Sequence, residues 1–154
     1  METKILLLVT VLLYSIIASQ SFSYMISLND VQKNMTIAEY ISFRKRTDKN
    51  YRAKFGKIIY ATLMTNLLLV IVCCFTGSFL LPITAIIAFV LLVADTFIAI
   101  QYNLPINKMV NEWTEDAYPE NWVLYRQKWL QAFYKRQVLN LAGFASLITG
   151  AVFN

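Results

Sequence analysis

Asp95 is the residue from which a function could be built. It stands in Phe89–Ile100, "FVLLVADTFIAI", as one carboxylate inside an apolar run long enough to cross a membrane. Charge in hydrocarbon is expensive, and it persists where it meets a partner or does chemistry. Helix rise converts position into depth. Asp95 precedes Gln101, the edge of its run, by six residues, which is roughly 9 Å at about 1.5 Å per residue. Gln20 in the first apolar run and Thr62 in the second fall at a similar depth, with Thr65 and Asn66 deeper. Asn140 in the fourth run follows Arg136 by about one turn. Buried polar groups in lipid face one another. The spacing therefore predicts an internal cluster of Asp95, Gln20, Thr62 or Asn66, and Asn140, with Arg136 as its ionic partner because a long stem lets it reach inward.

Three chemistries fit such a layer. It can be a polar knot that sets the register of greasy helices. It can border a pocket for a lipophilic ligand, lined by Tyr14, Tyr24, Tyr60 and Tyr102. It can also form part of a proton or ion path, although such paths generally use several intramembrane acids and this chain has one. Candidate ligand-binding residues are accordingly Gln20, Tyr24, Thr62, Asn66, Tyr102 and Asn140. The chain has no histidine, which removes the commonest metal ligand and general base. Its two cysteines, Cys73 and Cys74, are adjacent within an apolar run and read as buried space-filling thiols. No CxxC pair, metal-site spacing, phosphate loop or nucleophile elbow is present. No metal and no cofactor are expected, and any reaction must run on Asp, Arg, Tyr, Asn or Gln.

The elements that would hold this layer are transmembrane helices. Hydrophobic residues make up 58% of the chain against about 45–50% in soluble domains, and they are concentrated in blocks. The sequence reads as one all-α integral membrane domain over residues 1–154, with spans at about 5–25, 58–77, 79–101 and 137–153. The first is read as a retained helix rather than a cleaved signal, because Ala18-Ser19-Gln20 is a poor cleavage site. Spans two and three form a tight hairpin, with Gly77 ending one helix and Pro82 in the first turn of the next. Two long loops then lie on one side and carry 13 of the 14 Lys and Arg residues. The positive-inside rule puts them in the cytoplasm and both termini on the other face, as in a plasma (bacterial inner) membrane. That reading also accounts for the net charge of +5 without nucleic acid, and it leaves the sequon Asn34-Met35-Thr36 unglycosylated.

Within the first loop, Thr36 and Glu39 have capping-box spacing. Residues 37–47 are expected to form a short helix on the membrane surface, with Arg44, Lys45 and Arg46 favouring anionic head groups. In the second loop Pro105 is expected to end the third helix, with Asn103 and Asn107 closing local turns. Arg126, Trp129, Phe133, Arg136, Asn140, Gly143 and Leu147 then recur at steps of three and four. One long helix over about Asn121–Phe153 is predicted, extending from the cytoplasm into the fourth span. Ala142, Ser146 and Gly150 offer small residues for close helix contact.

The order of four spans, the "QSFSY" end of the first helix, the Asn103-x-Pro105-x-Asn107 turn and the Trp/Arg-rich "NWVLYRQKWLQAFYKRQVLNLAGF" resemble the anthrone oxygenase-like family of small membrane proteins, most of them known only as a domain of unknown function. The resemblance is sharpest in the pairing of that turn with Trp129 and Arg136. It implies a transmembrane four-helix bundle and, for a few relatives, cofactor-independent oxidation of anthrones. Such chemistry would give Asp95 the role of base and Arg136 that of anion stabiliser. The alternative is a non-catalytic membrane subunit or scaffold that binds a membrane protein partner or a second copy of itself.

Overall fold

The computed structural model describes residues 2–75 and 79–153. The expected helix end at Gly77 lies outside them. The described residues form four long helices and no strand: α1 (Glu2–Asn34), α2 (Ile37–Cys73), α3 (Leu80–Glu112) and α4 (Trp122–Phe153). Each packs against its neighbour in chain order, and α4 closes back on α1. Neighbours run antiparallel. Tyr24 meets Phe133 and Tyr14 meets Phe144 across α1 and α4, while Thr84 meets Ser146 and Asn103 meets Trp129 across α3 and α4.

Three of these helices, α1, α2 and α3, are long and apolar enough to cross a membrane. The chain is therefore a membrane protein by length and composition. α4 falls short because Gln137, Asn140, Gly143, Ser146, Thr149 and Gly150 dilute its apolar half.

The connecting segments differ from the sequence reading. What reads as a long first loop is helix, broken only at Met35 and Thr36. The expected surface helix at 37–47 is instead the first third of α2, a 37-residue helix about 55 Å long. Its N-terminus carries the predicted capping box: the Thr36 N–H donates to the Glu39 carboxylate at 2.8 Å, and the Glu39 N–H donates to the Thr36 hydroxyl. Tyr40, Ile41, Arg44 and Asp48 on this stretch are buried against the other helices rather than laid on lipid. Pro105 does not end the third helix. It falls in the first turn of a helical segment running from Leu104 to Glu112, where its missing N–H is tolerated.

Both α1 and α3 continue past their expected ends through one wide π-helical turn, at Tyr24–Leu28 and at Ala99–Asn103. A π turn inserts an extra residue and rotates everything beyond it about the axis.

The core has two parts. At one end of the bundle Tyr14, Ile17, Leu69, Leu81, Ala85, Leu92 and Leu147 pack tightly. Here α4 touches α3 and α1 through glycines: a β-carbon at Gly150 would collide with the Thr84 hydroxyl of α3, and one at Gly143 with the Tyr14 hydroxyl of α1. Ser146 donates to the Thr84 carbonyl at 3.0 Å. Gly143 thus takes the place expected of Ala142, which is exposed. At the other end an aromatic core gathers Tyr24, Tyr40, Trp113, Trp129 and Phe133.

Candidate functional site

Tyr24 and Asn103 each stand in one of the two wide turns, and both meet Trp129. Asp95 is fully buried on α3. Arg136 Nε donates to its Oδ1 at 2.8 Å, and Asn140 Nδ2 donates to the same oxygen at 3.1 Å. The stripe on α4 is the reason: positions 136 and 140 are one turn apart on the side facing α3. Arg136 reaches on to Asn103 Oδ1 at 3.3 Å, and Asn103 donates to the Trp129 carbonyl at 3.0 Å.

A second cluster joins there. Asn107 Oδ1 accepts from the Trp129 indole N–H at 2.8 Å and from the Arg44 guanidinium, while Asn107 Nδ2 donates to Asp48 at 2.9 Å. Asn111 and Arg52 complete the Asp48 carboxylate, each at 2.8 Å. Asn103 and Asn107 therefore tie helices together instead of closing local turns. The four-residue step between them keeps both on the inner face of α3.

Beside this network lies a cavity of about 340 Å³ between all four helices. Its walls are aromatic and aliphatic: Tyr24, Phe55, Ile59, Trp129 and Phe133. Trp129 and Phe133 stack with centroids 4.7 Å apart, and Tyr24 meets Phe133 edge-on at 4.6 Å. The polar side carries Gln20, Arg44, Asp48, Asn103, Asn107 and Arg136. Tyr60, Ile100 and Leu104 also line it yet are exposed, so the mouth opens between α2 and α3 along an apolar rim.

Arg44 is the unusual group. It is 3% exposed, stacks 3.8 Å above the Trp129 ring, and among the described residues its guanidinium hydrogen-bonds only to the neutral Asn107 side chain. Its Nε has no hydrogen-bond partner. Among the described residues no carboxylate forms an ion pair with it; Asp48 pairs with Arg52 and Asp95 with Arg136. Burial pushes its guanidinium down from the ordinary value, opposed by Tyr40, Tyr24, Asp48 and Tyr51 nearby. An arginine stays charged even so. A buried cation without a counter-ion is costly.

Comparison with protein-family models, with curated proteins and with solved structures finds no match for this chain.

The predicted residues divide into several groups. Asp95, Arg136 and Asn140 meet as one cluster. Gln20 and Tyr24 line the cavity rather than touching Asp95. Thr62 turns its hydroxyl back onto the Ile58 carbonyl of its own helix. Asn66 lies deeper, its amide placed to donate to the Ala85 carbonyl and accept from the Phe89 N–H of α3. Tyr102 is exposed and lines no part of the cavity, and Tyr14 belongs to the tight end of the core. Arg126 serves elsewhere: it stacks on Trp122 and donates to the Gln32 and Met35 carbonyls, capping the end of α1. Sequence reasoning missed Arg44 and Asp48 as inward-facing. Their i, i+4 spacing beside Tyr40 and Ile41 carried the signal of one buried helix face.

The geometry limits the chemistry. Asp95 is fully buried and does not line the cavity, whereas its ion-pair partner Arg136 does. The carboxylate that does border the cavity, Asp48, has both oxygens occupied. No cluster of His, Cys, Asp or Glu among the described residues could hold a metal ion.

Proposed function

We propose that this protein is an integral membrane protein of four transmembrane helices that binds a small lipophilic molecule in the cavity beside Arg44, Trp129 and Arg136. The cavity carries the reading. Its size falls in the ~300–1,000 Å³ range of small-molecule sites, and it combines apolar walls with a few convergent polar groups.

Transmembrane packing of all four helices is supported by exposed apolar side chains on each, such as Leu12 on α1, Leu68 on α2, Val90 on α3 and Val152 on α4. The basic end, with the cavity, is assigned to the cytoplasm and both termini to the opposite face of a plasma (bacterial inner) membrane by the positive-inside rule.

Oxidation of the ligand, as the anthrone oxygenase-like resemblance implies, is the lesser form of the proposal. It needs a base in contact with substrate, and the two buried carboxylates are committed to other partners. A scaffold role is set behind ligand binding because lipid itself covers exposed apolar faces of this kind.

The test is native mass spectrometry of protein released from membranes in mild detergent. A retained lipophilic adduct on the wild type, lost in Gly56→Trp, is the expected result. Equal adducts on both variants would remove the cavity from consideration. Cysteine labelling at Ser42 and Ser78, in a background with Cys73 and Cys74 replaced by Ala, should report opposite faces. Labelling from one face would overturn the orientation.

A further inference from the structure

The cavity contains a buried guanidinium that no carboxylate among the described residues contacts. Three cations border it: Arg44, Arg52 and Arg136. Arg136 is paired with Asp95, and Arg52 with Asp48. The remaining cation, Arg44, is almost wholly buried and, among the described residues, has no carboxylate in ion-pair contact and no hydrogen-bond partner for its Nε. A neutral ligand would leave that charge as costly as before. An anion would supply the missing counter-charge in a setting where charge-assisted hydrogen bonds are strong.

Another part of the cavity lining has a different peculiarity. Gly56 lies in the interior of α2 and lines the cavity, and a β-carbon there would meet no atom within 4 Å. Glycine in a helix interior is unfavourable relative to alanine, and no close packing explains it here. Its bare backbone leaves room beside the exposed apolar rim of Tyr60, Ile100 and Leu104. A chain lying across Gly56 would reach the hydrocarbon region without crossing a polar group of the cavity floor.

Resting on the ligand-binding reading above, we propose that the occupant is an amphiphile with an anionic head group, carboxylate or phosphate. The head lies against Arg44, and the apolar chain leaves across Gly56 between α2 and α3. The same chemistry is offered by a phospholipid of the surrounding bilayer and by a free single-chain acid.

The experiment uses the full chain in phosphatidylcholine nanodiscs, titrated with a pyrene-labelled dodecanoate and with its methyl ester. The acid should bind at least tenfold more tightly than the ester. Gly56→Trp should abolish specific binding of both, and Arg44→Gln should erase the preference for the acid. Displacement by phosphatidylglycerol would support the proposal with a bilayer lipid as occupant. Displacement by dodecyl phosphate alone would support it with a free amphiphile.

Equal binding of acid and ester, with both still blocked by Gly56→Trp, would overturn the anion while leaving a lipophile site in place. Binding of both probes that is indifferent to Gly56→Trp would overturn this proposal and the cavity reading together. Gly56→Trp sets its β-carbon where no atom lies within 4 Å and removes no polar group, so the test holds even if Arg44→Gln does not fold.

Discussion

The two ends of the bundle are built on opposite plans. At the end centred on Leu69, Leu81 and Leu147, glycines let the helices touch, and no side chain can grow at Gly143 or Gly150 without displacing a neighbour. At the end centred on Trp129, polar side chains span the gaps between helices and a cavity is left among them. In lipid the hydrophobic effect does not draw helices together, so close contact and hydrogen bonds must. This molecule uses the first means at one end and the second at the other. The polar plan permits a cavity because a network of side chains can hold helices apart at fixed distances, whereas glycine contacts cannot.

The largest effect that would separate the two plans is expected at Arg136. Arg136→Met leaves Asp95 fully buried with only Asn140 beside it and should cost about 3–5 kcal/mol in a steric-trapping or SDS unfolding assay. The double variant Asp95→Leu/Arg136→Met should recover most of that loss. If it does not, the pair does more than neutralise itself.

Next in size is Gly143→Ala. It must push Tyr14 away and should cost about 1–3 kcal/mol by overpacking, with ligand binding at the far end unchanged. Weakened binding would mean that the two ends are mechanically coupled.

Thr36→Ala removes a helix cap at the cavity end and should cost about 1 kcal/mol. The cap also has a pH signature. Hydrogen bonds from the Thr36 backbone N–H and hydroxyl hold the Glu39 carboxyl below its usual range. A lowered carboxylate contributes stability that is present above its unfolded value and lost as pH falls through its folded one. The melting temperature should therefore dip below pH of about 4 in the wild type and dip less in Thr36→Ala.

The smallest effect has the opposite sign. Gly56→Ala should gain about 0.5–1 kcal/mol, because nothing opposes a methyl group there. A loss of stability instead would mean that Gly56 is needed for the helix rather than for the cavity.

Depth was legible in the sequence and azimuth was not. Counting residues found Asp95, Arg136 and Asn140 at one level, and the stripe on α4 gave their direction. For Gln20, Thr62 and Tyr102 the height alone was available. A side chain one residue away points about 100° elsewhere, and these three face the cavity, their own helix and the outside. The wide turn at Ala99–Asn103 explains part of the failure, since it alters the phase of α3 where Pro105 reads as a helix end rather than as a change of pitch. Arg44 was read as a surface charge because it begins a basic run with Lys45 and Arg46. The four-residue step from Tyr40 to Arg44 to Asp48 sets it apart, and packing bears that out: Lys45 reaches the Trp113 carbonyl at 2.6 Å and Arg46 is exposed, while Arg44 goes inside.

The wide turn in α3 has a consequence for how this gene can change through descent. Substitution at Tyr102, an exposed residue of that turn, alters little. Loss of a single residue just beyond it, where the Leu104–Glu112 segment keeps the ordinary 3.6-residue pitch, would swing everything that follows by about 100°. Asn107 and Asn111 would leave Asp48 and Arg44 together, and the cavity would lose its floor in one step. Relatives that keep the site should therefore tolerate many spellings of this segment and very few changes in its length.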